Sequence, residues 1–137
     1  MSFKLTTVKN TRDMRAVKRA GSLATTKDAL YFNSITTGSI QLAGVATTAN
    51  QVIYLANETT GASTSPFSGT ITERGDEFIV DTTANSNAAH NGQRMIVDAT
   101  GLLLTNTGTD VPGVTGVFVQ LDIIGAVADR KIIARRV

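Results

Sequence analysis

Beyond residue 28 the chain alternates between short apolar runs and clusters of Gly, Asn, Asp, Ser and Thr. Apolar runs of about four to eight residues between such clusters read as strands, because helices need longer amphipathic stretches. The pattern predicts strands at 29–32, 39–43, 51–56, 69–73, 77–81, 93–98, 102–105, 117–124 and 131–134. Alternation is clearest in the eighth, where Val117, Val119, Leu121 and Ile123 make one apolar face and Gln120 and Asp122 point the other way.

The turns are chemically explicit. Arg74-Gly75-Asp76 is suited to reverse the chain between its flanking strands, and Asn91-Gly92 favours two successive residues of positive φ. Ala99-Thr100-Gly101 separates a further pair, and Pro112-Gly113 opens the last long strand. Turns spaced by about 8–12 residues favour a sandwich or barrel over βαβ units. Residues 59–68 and 82–90 read as surface loops. The expected fold is therefore all-β, a small barrel or sandwich of short, mostly antiparallel strands with an extended N-terminal arm.

That arm is residues 1–27, and the body is residues 28–137. Asn10 or Thr11 is placed to cap a short helix, with Asp13 in its first turn and Gly21 as its stop. Only Met14, Ala16, Val17 and Ala20 give this helix apolar surface, and short isolated helices are marginal in water. The arm is accordingly expected to be loose in the free protein, with Gly21-Ser22 and Thr25-Thr26 as a hinge. Its first part, Phe3-Lys4-Leu5-Thr6-Thr7-Val8, has the alternation needed to add as a strand to an exposed sheet edge.

Composition agrees with the strand reading. Among 137 residues there are 21 Thr and 12 Gly against two Pro, and β-branched residues suit a pleated surface. A chain of this length can bury one ordinary core without a staple, and it contains no cysteine to form one. No run approaches the 18 or so apolar residues that span a bilayer, and the N-terminal stretch lacks the apolar segment of a secretory signal. The expectation is a whole chain made and folded in a cytoplasm.

Charge changes the picture more. Residues 1–27 carry seven Lys or Arg against one acid, residues 28–129 two against ten, and residues 130–137 four against none. The net +2 thus conceals an acidic body between two basic ends, a pattern typical of interaction arms.

Catalytic chemistry finds little support. His90 is a lone histidine before a tight turn, a position usual for a solvated loop residue. Glu73, Asp76, Glu77 and Asp81 crowd one hairpin but form no Asp-x-Asp-x-Asp-Gly ladder for Ca²⁺. Arg74-Gly75-Asp76 matches a receptor-read tripeptide, yet it already serves as a turn. Asn57-Glu58-Thr59 matters as a glycosylation acceptor only in a secreted protein. Neither a phosphate-binding Gly loop nor a Gly-x-Ser-x-Gly elbow occurs. The expectation is a protein that is not an enzyme and has no catalytic residues, cofactor or metal site.

For the basic arm, nucleic acid, anionic membrane and an acidic protein surface are the physical choices. The arm lacks the bulky apolar face of a membrane-surface helix. Single-strand binders pair basic grooves with stacking aromatics, and no such interleaving occurs here. A protein partner remains. The stretches Arg74-Gly75-Asp76-Glu77-Phe78-Ile79-Val80, Gly92-Gln93-Arg94-Met95-Ile96-Val97-Asp98, Gly116-Val117-Phe118-Val119-Gln120-Leu121 and Arg130-Lys131-Ile132-Ile133-Ala134-Arg135 resemble capsid decoration proteins of tailed phages, the lambda-type head-stabilising proteins. The resemblance implies a compact β-barrel on the outer capsid surface of a virion, an arm that orders against major capsid protein, and self-association, often as trimers at three-fold positions. The expected function is to stabilise the shell by bridging capsid subunits. Phe3, Leu5, Lys9, Arg12, Arg15, Lys18 and Arg19 are the expected arm contacts, the apolar ones for burial and the basic ones for shell carboxylates. The alternatives are an accessory nucleic-acid-binding barrel and a tail or receptor-binding virion component.

Overall fold

A computed structural model describes residues 3–7, 15–17, 22–34, 38–44, 47–106, 110 and 115–137, and these are almost wholly β. In chain order the strands are β1 (Lys4–Thr7), β2 (Arg15–Val17), β3 (Leu23–Thr25), β4 (Leu30–Asn33), β5 (Ile40–Leu42), β6 (Ile53–Ala56) and β7 (Thr60–Ser63). They continue as β8 (Phe67–Ile71), β9 (Glu77–Asp81), β10 (Arg94–Val97), β11 (Leu104–Thr105), β12 (Phe118–Ile124) and β13 (Lys131–Arg136). Every predicted strand has an observed counterpart, with ends shifted by a few residues.

Two antiparallel sheets form the body. One has six strands in the order β1-β9-β13-β12-β10-β11, the other five in the order β2-β8-β6-β4-β5, and β3 pairs with β7 as a separate ribbon. The six-stranded sheet curls strongly. Beyond β9, Thr82 bridges Leu104 of β11, and the Thr83 amide donates to the Leu104 carbonyl at 3.0 Å, so five of its strands bend round towards a closed barrel.

Alternation sorts side chains between the faces. Leu30, Ile53 and Leu55 of the five-stranded sheet meet Phe78, Val80, Met95, Val97, Phe118, Ile132 and Ala134 of the six-stranded sheet in the main core. The opposite face of the five-stranded sheet is not bare. Tyr31, Ile40, Ala56 and Phe67 gather there in a second cluster with Val17 of β2, and Leu23 of β3 packs against it. Full burial of such a side chain contributes about 1.5–3 kcal/mol.

The leading segment departs from expectation. It is extended where described, but it is docked. β1 adds to the outer edge of β9 with Lys4 opposite Ile79 and Leu5 opposite Phe78, and β2 adds to the outer edge of β8 with Arg15 opposite Gly69. The predicted helix is therefore replaced by a strand at Arg15–Val17; its other positions lie outside the described residues. The expected hinge at Thr25-Thr26 is also corrected. Thr25 is buried, its hydroxyl 2.7 Å from that of Thr60, and the Thr26 amide donates to the Tyr31 hydroxyl at 2.8 Å. Likewise the loop predicted at 59–68 contains β7 and the start of β8.

Candidate functional site

The expected arm contacts do not form one exposed site. Phe3 is fully buried, its ring centroid 5.0 Å from that of Phe118 and 5.7 Å from that of Phe78, and its amide donates to the Asp28 carbonyl. The ring expected to be buried against a partner is thus placed in the chain's own main core. Leu5 and Arg15 lie within β1 and β2, on the edges of two different sheets. Lys9, Arg12, Lys18 and Arg19 lie outside the described residues.

The hairpin acids are tied into structure. Asp76 is buried at the β8–β9 turn, where Gly75 has φ +95° and the Asp76 carboxylate accepts the Glu73 amide at 2.8 Å. The tripeptide Arg74-Gly75-Asp76 is thus a folded turn whose acid faces inwards. Beside it Arg136, also buried, donates to the carbonyls of Ala49 and Gln51 at 3.1 and 3.2 Å. Burial, reinforced by the nearby Arg74 charge and partly opposed by Asp76, lowers its pKa to about 10. The guanidinium stays charged near neutral pH and latches β13 to the loop before β6. His90 ends a short 3-10 turn, and its Nδ1 is buried without a hydrogen-bond partner among the described residues. Among the described residues no three His, Cys, Asp or Glu side chains converge on a possible metal position, and no helix is long and apolar enough to cross a membrane.

The side chains that alternation placed on one apolar face of 117–124 divide between two faces in β12. Phe118 and Gln120 point inwards and are fully buried, whereas Val119 and Leu121 are partly exposed. Gln120 is satisfied on one side by donating to the Asn87 carbonyl at 2.8 Å and to Asn91 Oδ1 at 2.9 Å, which pins the 3-10 turn to the sheet. Pairing with β13 then slips: Gln120 opposes Ala134 but Asp122 opposes Ile133, leaving Leu121 as an inserted residue. A bulge of this kind reverses the facing of all later residues. Ile123 consequently packs on the main core while Asp122 is exposed.

The outward side of β9, β13, β12 and β10, four adjacent strands, therefore carries Ile79, Ile133, Val119 and Ile96, all partly exposed. Ile79 opposes Ile133, with Lys4 beyond it on β1; Glu77 opposes Arg135, which opposes Val119, which opposes Arg94. Arg135 and Glu77 form an ion pair at 3.2 Å. Asp81 and Lys131 face one another at one end of the sheet. The result is a set of four partly exposed aliphatic side chains interspersed with charges of both signs. The sequence signal was present in the apolar residues of 117–124, but the bulge at Leu121 puts Ile123 on the opposite face from Val119. No protein-family model, curated protein or solved structure matches the chain.

Proposed function

We propose that the protein decorates the outside of a phage capsid and stabilises it by bridging subunits of the major capsid protein. The observation that supports this reading is the outward set of Ile79, Ile133, Val119 and Ile96, interspersed with charges of both signs. The four stretches that resemble head-stabilising proteins overlap β9, β10, β12 and β13, the same strands that build this surface.

Shell contact accordingly moves from a loose leader to a preformed sheet face. A rigid face binds without the ordering entropy that a mobile arm loses on docking. Partial burial of the four side chains gives the apolar part of the contact at about 25 cal/mol per Å². Each surface ion pair adds only about 0–1 kcal/mol and chiefly orients the encounter. Modest single contacts become firm when one molecule spans two subunits, since the second contact is then intramolecular.

Co-sedimentation with empty shells of a tailed phage tests the reading. Ile79→Lys and Ile133→Lys, each on the solvent side of the sheet, are expected to keep the β circular dichroism signal and to lose at least about tenfold in shell affinity. Unchanged binding by both variants rules out this face. Tight binding to DNA that weakens steeply with salt, with none to shells, favours the nucleic-acid alternative instead.

A further inference from the structure

The six-stranded sheet curls towards closure without help from β1. Five strands of the curled sheet bend round until Thr82, beyond β9, meets Leu104, and β1 is laid on the outside of β9 as a sixth. Its attachment has three parts: the antiparallel ladder to β9, the Phe3 amide bond to the Asp28 carbonyl, and the Phe3 ring set against Phe78 and Phe118. All three acceptors belong to the body. None of them depends on which molecule supplies the strand.

We infer that β1 is an exchangeable strand, so that residues 3–7 of one copy seat on β9 of a second copy with the Phe3 ring in that copy's core. Strand addition to a sheet edge draws its affinity from main-chain hydrogen bonds and its selectivity from side-chain pockets. Here the pocket is shaped by Phe78 and Phe118 and the natural plug is Phe3, which makes a second copy of this chain the matching donor. Exchange of identical elements replaces each contact by its equal, so the balance depends on concentration and on the connecting segment rather than on new interactions. Attachment within one chain gives the intramolecular strand an effective concentration on the order of 1 mM. Exchange is therefore minor in dilute solution and becomes substantial where copies are crowded. Each exchanged strand links two bodies.

The absence of cysteine allows a direct test in the full-length chain. Lys4 and Ile79 are directly opposed across β1 and β9. The double variant Lys4→Cys/Ile79→Cys, oxidised when dilute, is expected to close within one chain; failure to close overturns the register on which the inference stands. Singly substituted Lys4→Cys and Ile79→Cys chains, distinguished by a tag, are then mixed and oxidised at about 10 μM and about 1 mM, below and near that effective concentration. The expected result is a disulfide-linked heterodimer several-fold more abundant than either homodimer, rising with concentration. Excess unsubstituted protein is expected to dilute it. Adding Phe3→Ala to the Lys4→Cys chain is expected to suppress it as well. A heterodimer no more abundant than the homodimers at either concentration, or one indifferent to unsubstituted competitor, overturns the inference. No capsid enters the experiment, so the outcome is separate from that of the shell-binding reading.

Discussion

Phe3 occupies the centre of the main core although 74 residues separate it from Phe78, the nearer in sequence of the two rings it packs against. Three rings meet there, with Phe78 edge-on to both Phe3 and Phe118 at centroid distances of 5.7 and 5.6 Å. Removing such a ring loses its transfer free energy and leaves a cavity that a close-packed core fills poorly. Phe3→Ala is therefore expected to cost about 3–5 kcal/mol in urea denaturation. Lys4→Ala next to it, exposed at the sheet edge, is expected to stay within about 0.5 kcal/mol. Equal and negligible effects would restore the loose leader. The alternation from Phe3 to Val8 marked a strand suited to a sheet edge, but nothing in those residues says that the edge is the chain's own β9. The division of Val119 and Ile123 between two faces was missed for another reason. Period two holds only without a bulge, and nothing in the residues around Leu121 announces an insertion, whose position is set by pairing with β13.

Strands as elements were more legible than their faces. Those bounded by explicit turn chemistry, such as β9 after Gly75 and β10 after Gly92, lie where the pattern put them, because the glycines adopt φ of +95° and +89° there. The elements missed are those held by pairing rather than by their own pattern. β7 is built of Thr60, Gly61, Ala62 and Ser63, too small and polar to alternate visibly, and β2 has only three residues. The weak helical propensity around β2 is overridden by the free edge of β8. Close packing marks this docking: a Cβ built at Gly69 would lie 2.9 Å from Val17 Cγ2. Gly69→Ala is expected to destabilise by about 1–3 kcal/mol through overpacking. Combining it with Val17→Ala, which vacates the space, is expected to cost less than the sum of the single changes in a double-mutant cycle. Strict additivity would place Val17 away from Gly69.

At the scale of the whole molecule, the strands differ in how many neighbours must separate before their amides meet water. β13 lies between β9 and β12, and β12 between β13 and β10, so both are flanked on each side and their inward residues are in the main core. β5 is an edge of the other sheet with Leu42 exposed, and β3 and β7 have only one another. β1 is an edge too, but one fastened by a buried ring. Native-state hydrogen exchange reports the smallest opening that frees each amide, so protection should follow this order. Paired amides of β12 and β13 are expected to exchange only through global unfolding. Those of β3, β5 and β7 are expected to exchange at least about a hundredfold faster through local opening. β1 is the informative case. If its strand leaves β9 while the rest of the barrel stays closed, its amides exchange at an intermediate rate that urea accelerates only weakly, because little surface is exposed in that opening. Exchange of β1 with the same rate and urea dependence as β13 would show instead that the barrel cannot persist without it, and that the strand is an inseparable part of the fold.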